Sequence, residues 1–119
     1  MTPTDALKPA IAKFQEAQSQ FETVVDLQQQ LLSQLSENQQ VQQEFARSGP
    51  DTRVYKRAGP VLLPQDFQEA SDNVTKRIEF IQTELQRVEK QIATLSANRD
   101  AIKEEILAAQ QRAPASSRG

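Results

Sequence analysis

Apolar residues recur in heptads along two long stretches of this chain, and that spacing fixes most of what the chain can fold into. With Ile11 at position a, the first stretch continues through Gln18, Val25, Leu32 and Gln39. Its d positions are Leu7, Phe14, Phe21, Gln28, Leu35 and Gln42, and Val24, Leu27, Leu31, Val41 and Phe45 broaden the stripe. The second stretch has d positions Phe67, Val74, Ile81, Val88, Leu95, Ile102 and Ala109, with Ser71, Ile78, Leu85, Ile92, Arg99 and Ile106 at a. A period of about 3.5 residues suits a left-handed supercoil. The second seam is the more apolar and is expected to form the steadier helix. Gln18, Gln28, Gln39 and Gln42 in the first seam read as residues that fix register and tolerate solvent.

The boundaries follow from local chemistry. Pro9 suits a first helical turn, where a missing N–H costs nothing, so the first helix is expected over 9–47 with frayed residues before it. Ser48-Gly49-Pro50-Asp51 is a breaker cluster that ends it. The second helix is expected over 65–111, just after Pro64. So short a connection folds the two back as an antiparallel pair, with both termini at one end. Within the connection, Thr52–Lys56 and Val61–Leu63 are rich in β-branched, aromatic and aliphatic residues and flank a turn at Ala58-Gly59-Pro60. That composition predicts a β-hairpin over 52–63. The fold expected is mainly α: one domain, 1–111, made of a long antiparallel two-helix coiled coil with a single β-hairpin inserted between the helices. The low-complexity residues 112–119 are expected to be a disordered tail.

An isolated two-stranded hairpin is marginal in water, and its open edges invite further strands. Val54, Tyr55, Val61, Leu62 and Leu63, with Gly59 and Pro60 shaping the turn, are therefore the candidate subunit-assembly residues, joining strands of other chains in a shared sheet or barrel.

Composition removes most other functions. The chain has no cysteine and no histidine, which excludes thiolate chemistry and the commonest general base and metal ligand. No catalytic constellation, cofactor site or metal site is expected, and the chain is not read as an enzyme. A formal charge of -2 with no basic stripe argues against nucleic acid. Nothing resembles a signal peptide or a membrane span, so a soluble intracellular protein is expected. Asn73-Val74-Thr75 matches a glycosylation acceptor only by coincidence, because Val74 is a seam residue. Arg99 at an a position is expected to snorkel outward, the alternative being a cation–π contact with Phe14. Leu7, Ile11, Ile106 and Leu107 lie near the free ends of the helices, where a two-helix seam ceases to be covered, and are candidate exposed apolar contacts. Of these, Leu7 and Leu107 are favoured, Ile11 and Ile106 being ordinary seam residues.

Val54-Tyr55-Lys56, then Gly59-Pro60-Val61-Leu62, then Glu69-Ala70, Asn73-Val74 and Lys76-Arg77-Ile78 leading to Phe80-Ile81, together resemble the β-class subunits of prefoldin. The likeness is strongest over 52–95, while the first helix matches in length and heptad character; Arg57-Ala58 and Pro64 depart from the pattern. It implies a hetero-hexamer of two α-type and four β-type subunits, so that the partners are two α-type and three further β-type chains. Their hairpins would join in inter-subunit β-barrels from which coiled coils project. The resemblance also implies ATP-independent binding of unfolded actin- and tubulin-like clients at the coiled-coil tips, which makes Leu7, Ile11, Ile106 and Leu107 the candidate client-binding residues, together with delivery to the cytosolic group II chaperonin and a cytoplasmic location. The rival reading is a structural coiled-coil adaptor or tether, for which the apolar hairpin has no evident use.

Overall fold

The computed structural model describes residues 3–112. It comprises helix α1 (Pro3–Arg47), strands β1 (Val54–Ala58) and β2 (Val61–Gln65), and helix α2 (Phe67–Gln111), in that order. The two strands form one antiparallel hairpin between the two helices.

Helix α1 begins six residues before the expected start, at Pro3 rather than Pro9. Pro3 takes the first-turn place that suits proline, and Asp5 follows in the same turn, where a carboxylate faces the helix's unpaired N–H groups. Asp5 also meets Lys8 at 3.3 Å. Pro9 therefore sits inside the helix, at the cost of the amide that would have donated to the Asp5 carbonyl. The helix stops where the breaker cluster stands. The Ser48 N–H reaches the Glu44 carbonyl at 3.0 Å, the Ser48 hydroxyl donates to the same oxygen at 2.7 Å, and Thr52 N–H closes a turn onto Gly49 at 3.0 Å.

The hairpin pairs Val54 with Gln65, Tyr55 with Pro64, Lys56 with Leu63, Arg57 with Leu62 and Ala58 with Val61. Its two-residue turn, Gly59-Pro60, has φ +61° at Gly59, the left-handed value that a II′-type hairpin turn asks of its first central residue. Pro64 is thus a strand residue, and α2 starts at Phe67, not 65. Asp66 caps it: the Glu69 N–H donates to Asp66 Oδ2 at 3.0 Å and the Ala70 N–H to the Asp66 carbonyl at 2.9 Å. Asp66→Ala is expected to cost about 1 kcal/mol, read as a lower denaturation midpoint. At the other end, the Arg112 N–H still donates to the Ala108 carbonyl at 3.0 Å. The rest of the expected tail lies outside the described residues.

Two compact units divide the chain. The hairpin unit is Gln29–Arg87, and the terminal unit takes α1 through Gln28 and α2 from Val88. In the hairpin unit, Leu31, Ala70, Val74, Ile78, Ile81 and Leu85 are buried, and Phe45 meets Phe67 edge to face at 5.3 Å. In the terminal unit, Ala17 and Val88 are buried, with Phe14, Phe21, Ile92, Leu95 and Ile102 half-buried beside them. All thirteen seam positions expected on α2 are buried or half-buried.

Helix α1 differs. Its d residues from Leu7 to Leu35 are half-buried, but Ile11, Leu32, Gln39 and Gln42 are exposed. The column that closes the seam runs instead through Ala10, Ala17, Val24, Leu31, Asn38 and Phe45, one residue before the expected a series for its first five members. Bulky Ile, Leu and Val on α2 fill the seam from their side, so the small Ala10 and Ala17 fit opposite them while Ile11 turns outward, and farther along the same column Leu31 is buried in place of Leu32.

Candidate functional site, an apolar hairpin with two open edges

Strand alternation distributes the hairpin's side chains over two faces. Val54, Lys56 and Ala58 share one with Val61, Leu63 and Gln65, while Tyr55 and Arg57 share the other with Leu62 and Pro64. Val54 and Gln65 are half-buried where the base of the hairpin meets the helices, in a cleft lined also by Val41, Phe45, Ala70 and Val74. Beyond that base the hairpin is bare. Tyr55 is 50% exposed, Val61 53%, Leu62 62% and Leu63 48%. Four large apolar side chains on ten strand residues is far more than scattered surface hydrophobicity, and such patches mark contact surfaces.

Among the described residues no further strand pairs with either edge. In a hairpin closed by a two-residue turn, the pair beside the turn is hydrogen-bonded and successive pairs alternate. Ala58, Lys56 and Val54 therefore bond across to Val61, Leu63 and Gln65, and the backbone groups of Tyr55, Arg57, Leu62 and Pro64 point outward. Of the expected assembly residues, the structure thus brings Val54, Tyr55, Val61, Leu62 and Leu63 onto one small element, with Gly59 and Pro60 forming its turn.

The residues expected to bind clients belong to the terminal unit, and their exposure is redistributed. Leu107 is 41% exposed and Ile11 38%, whereas Leu7 and Ile106 are half-buried. Leu7 turns inward because it belongs to the d series that α1 keeps. Arg99 corrects the expectation of outward snorkelling. It is half-buried, with its guanidinium 4.5 Å from the centroid of the Phe21 ring. It also donates to Gln18 Oε1 at 3.3 Å, to the Ser96 hydroxyl at 3.5 Å and to Asp100 at 3.2 Å. The cation–π partner is Phe21, one heptad from Phe14. Phe80, 63% exposed on α2, is a further apolar surface residue, and its place beside rather than in the seam is visible in the heptads.

Among the described residues there is no cluster of acidic side chains placed to hold a metal, and no helix is long and apolar enough to cross a membrane.

A family profile described as prefoldin subunit matches residues 9–113. Prefoldin subunit 6 of Saccharomyces cerevisiae is 42% identical over 96 residues, which span 81% of this chain and 84% of the yeast protein. Prefoldin subunit 6 of Homo sapiens is 33% identical over 105 residues, 88% of this chain and 81% of the human protein. The crystal structure of the prefoldin beta subunit from Thermococcus strain KS-1 superposes with a TM-score of 0.79 at 22% identity, covering 92% of this chain and 95% of that one. That structural likeness carries the fold: two long helices with one hairpin between them.

Proposed function

The chain belongs to the prefoldin subunit family, and from that premise we propose that it acts as a β-class subunit, equivalent to subunit 6, of a cytoplasmic hetero-hexameric co-chaperone. In this reading the complex holds unfolded actin- and tubulin-like clients without ATP and hands them to the group II chaperonin. Two α-type and three further β-type subunits complete it, with the hairpin supplying this chain's share of an inter-subunit β-barrel. The observation that carries the reading is the exposed Tyr55, Val61, Leu62 and Leu63 on a hairpin with both edges unpaired. A folded chain keeps such a surface for burial against others.

Client holding is assigned to the apolar residues of the terminal unit. Ile11 and Leu107 are the more exposed, and Leu7, one helical turn from Ile11, and Ile106, next to Leu107, are half-buried. Each such side chain offers only about 25 cal/mol per Å² of buried surface, so useful grip comes from several subunits acting together.

Native mass spectrometry of the chain mixed with its purified sister subunits tests assembly: a hetero-hexamer supports the reading, and a persistent homodimer supports a coiled-coil tether instead. For client holding, the complex carrying Ile11→Ser with Leu107→Ser is expected to suppress aggregation of unfolded actin several-fold less well at equal concentration. Undiminished suppression removes these residues from the client surface.

A further inference from the structure

The two edges of the hairpin are chemically unequal. Between Asp51 and Asp66 the only ionisable side chains besides Tyr55 are Arg53, Lys56 and Arg57, all at or just before β1, and β2 carries no charge at all. All three cations are exposed, and none forms an ion pair among the described residues. The main chain is unequal too. On β1 the outward-pointing residues Tyr55 and Arg57 each offer an N–H and a C=O, whereas on β2 only Leu62 offers both, because Pro64 has no N–H. The edge with the fuller set of hydrogen-bonding groups is therefore the edge that carries the positive charge.

That combination disfavours one obvious occupant. Antiparallel pairing of β1 with β1 of a second copy sets Arg53 against Arg57 when centred on Tyr55. It sets Lys56 against Lys56 when centred there, and Arg57 against Arg57 when centred on that residue. Like charges directly opposite on a ladder are destabilising, and opposite charges are favourable. Of the registers centred within β1, only those on its end residues, Val54 and Ala58, escape the repulsion, and both run off the end of the strand. Pairing β1 with β2 of another copy in the hairpin's own register would instead lay Lys56 and Arg57 against Leu63 and Leu62, without counter-charge, and only Arg53 would face an acidic residue, Asp66.

We propose that β1 is a heterotypic edge, which takes through Tyr55 and Arg57 an extended strand of a different polypeptide bearing carboxylates opposite Arg53, Lys56 and Arg57. The inference rests on the reading of the hairpin as an assembly element and adds to it the chemistry of the neighbour. Charge thereby keeps like chains apart on this edge and selects an acidic partner strand.

The test uses the full chain reconstituted with the purified sister subunits of its own organism. A water-soluble carbodiimide joins a lysine amine to a carboxylate in direct contact, and peptide mapping locates the product. The expected result is Lys56 joined to an aspartate or glutamate of a sister subunit. In competition with isotopically labelled wild-type chain, Arg53→Glu with Arg57→Glu is expected to be incorporated about ten-fold less, the deficit narrowing as salt screens the repulsion. Absence of a Lys56 link, a link to a second copy of this chain, or equal incorporation of the reversed variant overturns the proposal. Leu62→Asp in the same assay separates the two levels. If it is excluded while the charge reversal is accepted, the hairpin still assembles but not by charge; if both are accepted, the hairpin is not the assembly element.

Discussion

Leu62→Asp is expected to leave the isolated chain folded and to abolish its incorporation into the hetero-hexamer. Leu62 is 62% exposed, so the free subunit loses almost no packing when it changes. Incorporation is another matter. Burying a leucine contributes roughly 1.5–3 kcal/mol, and the substitution forfeits it. A carboxylate at the same place must also be stripped of water, an effective penalty of several kcal/mol for an unpaired ion. Together these weaken association by about a thousand-fold or more. Circular dichroism should report unchanged helicity, and native mass spectrometry should show the remaining subunits without this one. A variant that assembles normally would mean that Leu62 faces solvent in the complex and that the hairpin face it shares with Tyr55 is not an interface.

Val88→Asp should do the reverse, destroying the fold of the subunit before assembly is in question. Val88 has 0% exposure and is the one larger side chain in the described structure with no access to solvent. It lies at a d position of α2, in the terminal unit. Loss of valine burial together with an unpaired buried carboxylate is worth about 4 kcal/mol or more. That is a large part of the roughly 5–15 kcal/mol typical of a whole domain. Burial raises the folded-state pKa of the new carboxyl above its unfolded value of about 3.9. The penalty is therefore full at neutral pH and shrinks as acid protonates the group in both states. Thermal melts at pH 7 and pH 4 read both effects, and a melting temperature within a few degrees of the wild type at pH 7 would contradict the burial of Val88.

The heptads made α2 legible position by position, because its large apolar residues, Phe80 and Leu107 apart, fall in two columns with charged and polar neighbours. On α1 they do not. Ala10 stands beside Ile11, Val24 beside Val25 and Leu31 beside Leu32, so two adjacent columns are equally plausible partners for the d series. Only the facing helix decides between them, and it chose the column with the alanines. Arg99 shows the same limit along the axis. Phe14 and Phe21 are both d residues one heptad apart, and periodicity alone cannot say which stands opposite a given residue of α2. The hairpin was readable from composition, but its ends were not. Pro64 suggested a helix start, whereas Asp66 supplies the cap and leaves Pro64 to the strand, at a position where β1 asks for no donor.

The clasp of Arg99 on Gln18 and Phe21 has a consequence for how the chain folds. Long amphipathic helices can mate at several staggers, each a heptad apart and each burying a similar amount of oily surface. A slip of seven residues in one direction would leave the guanidinium facing Ile11 and Phe14, and in the other Val25 and Gln28. Neither alternative offers both an amide oxygen and an aromatic face. A single cation set among greasy neighbours thus makes the misaligned zippers inferior to the one in which it finds its seat.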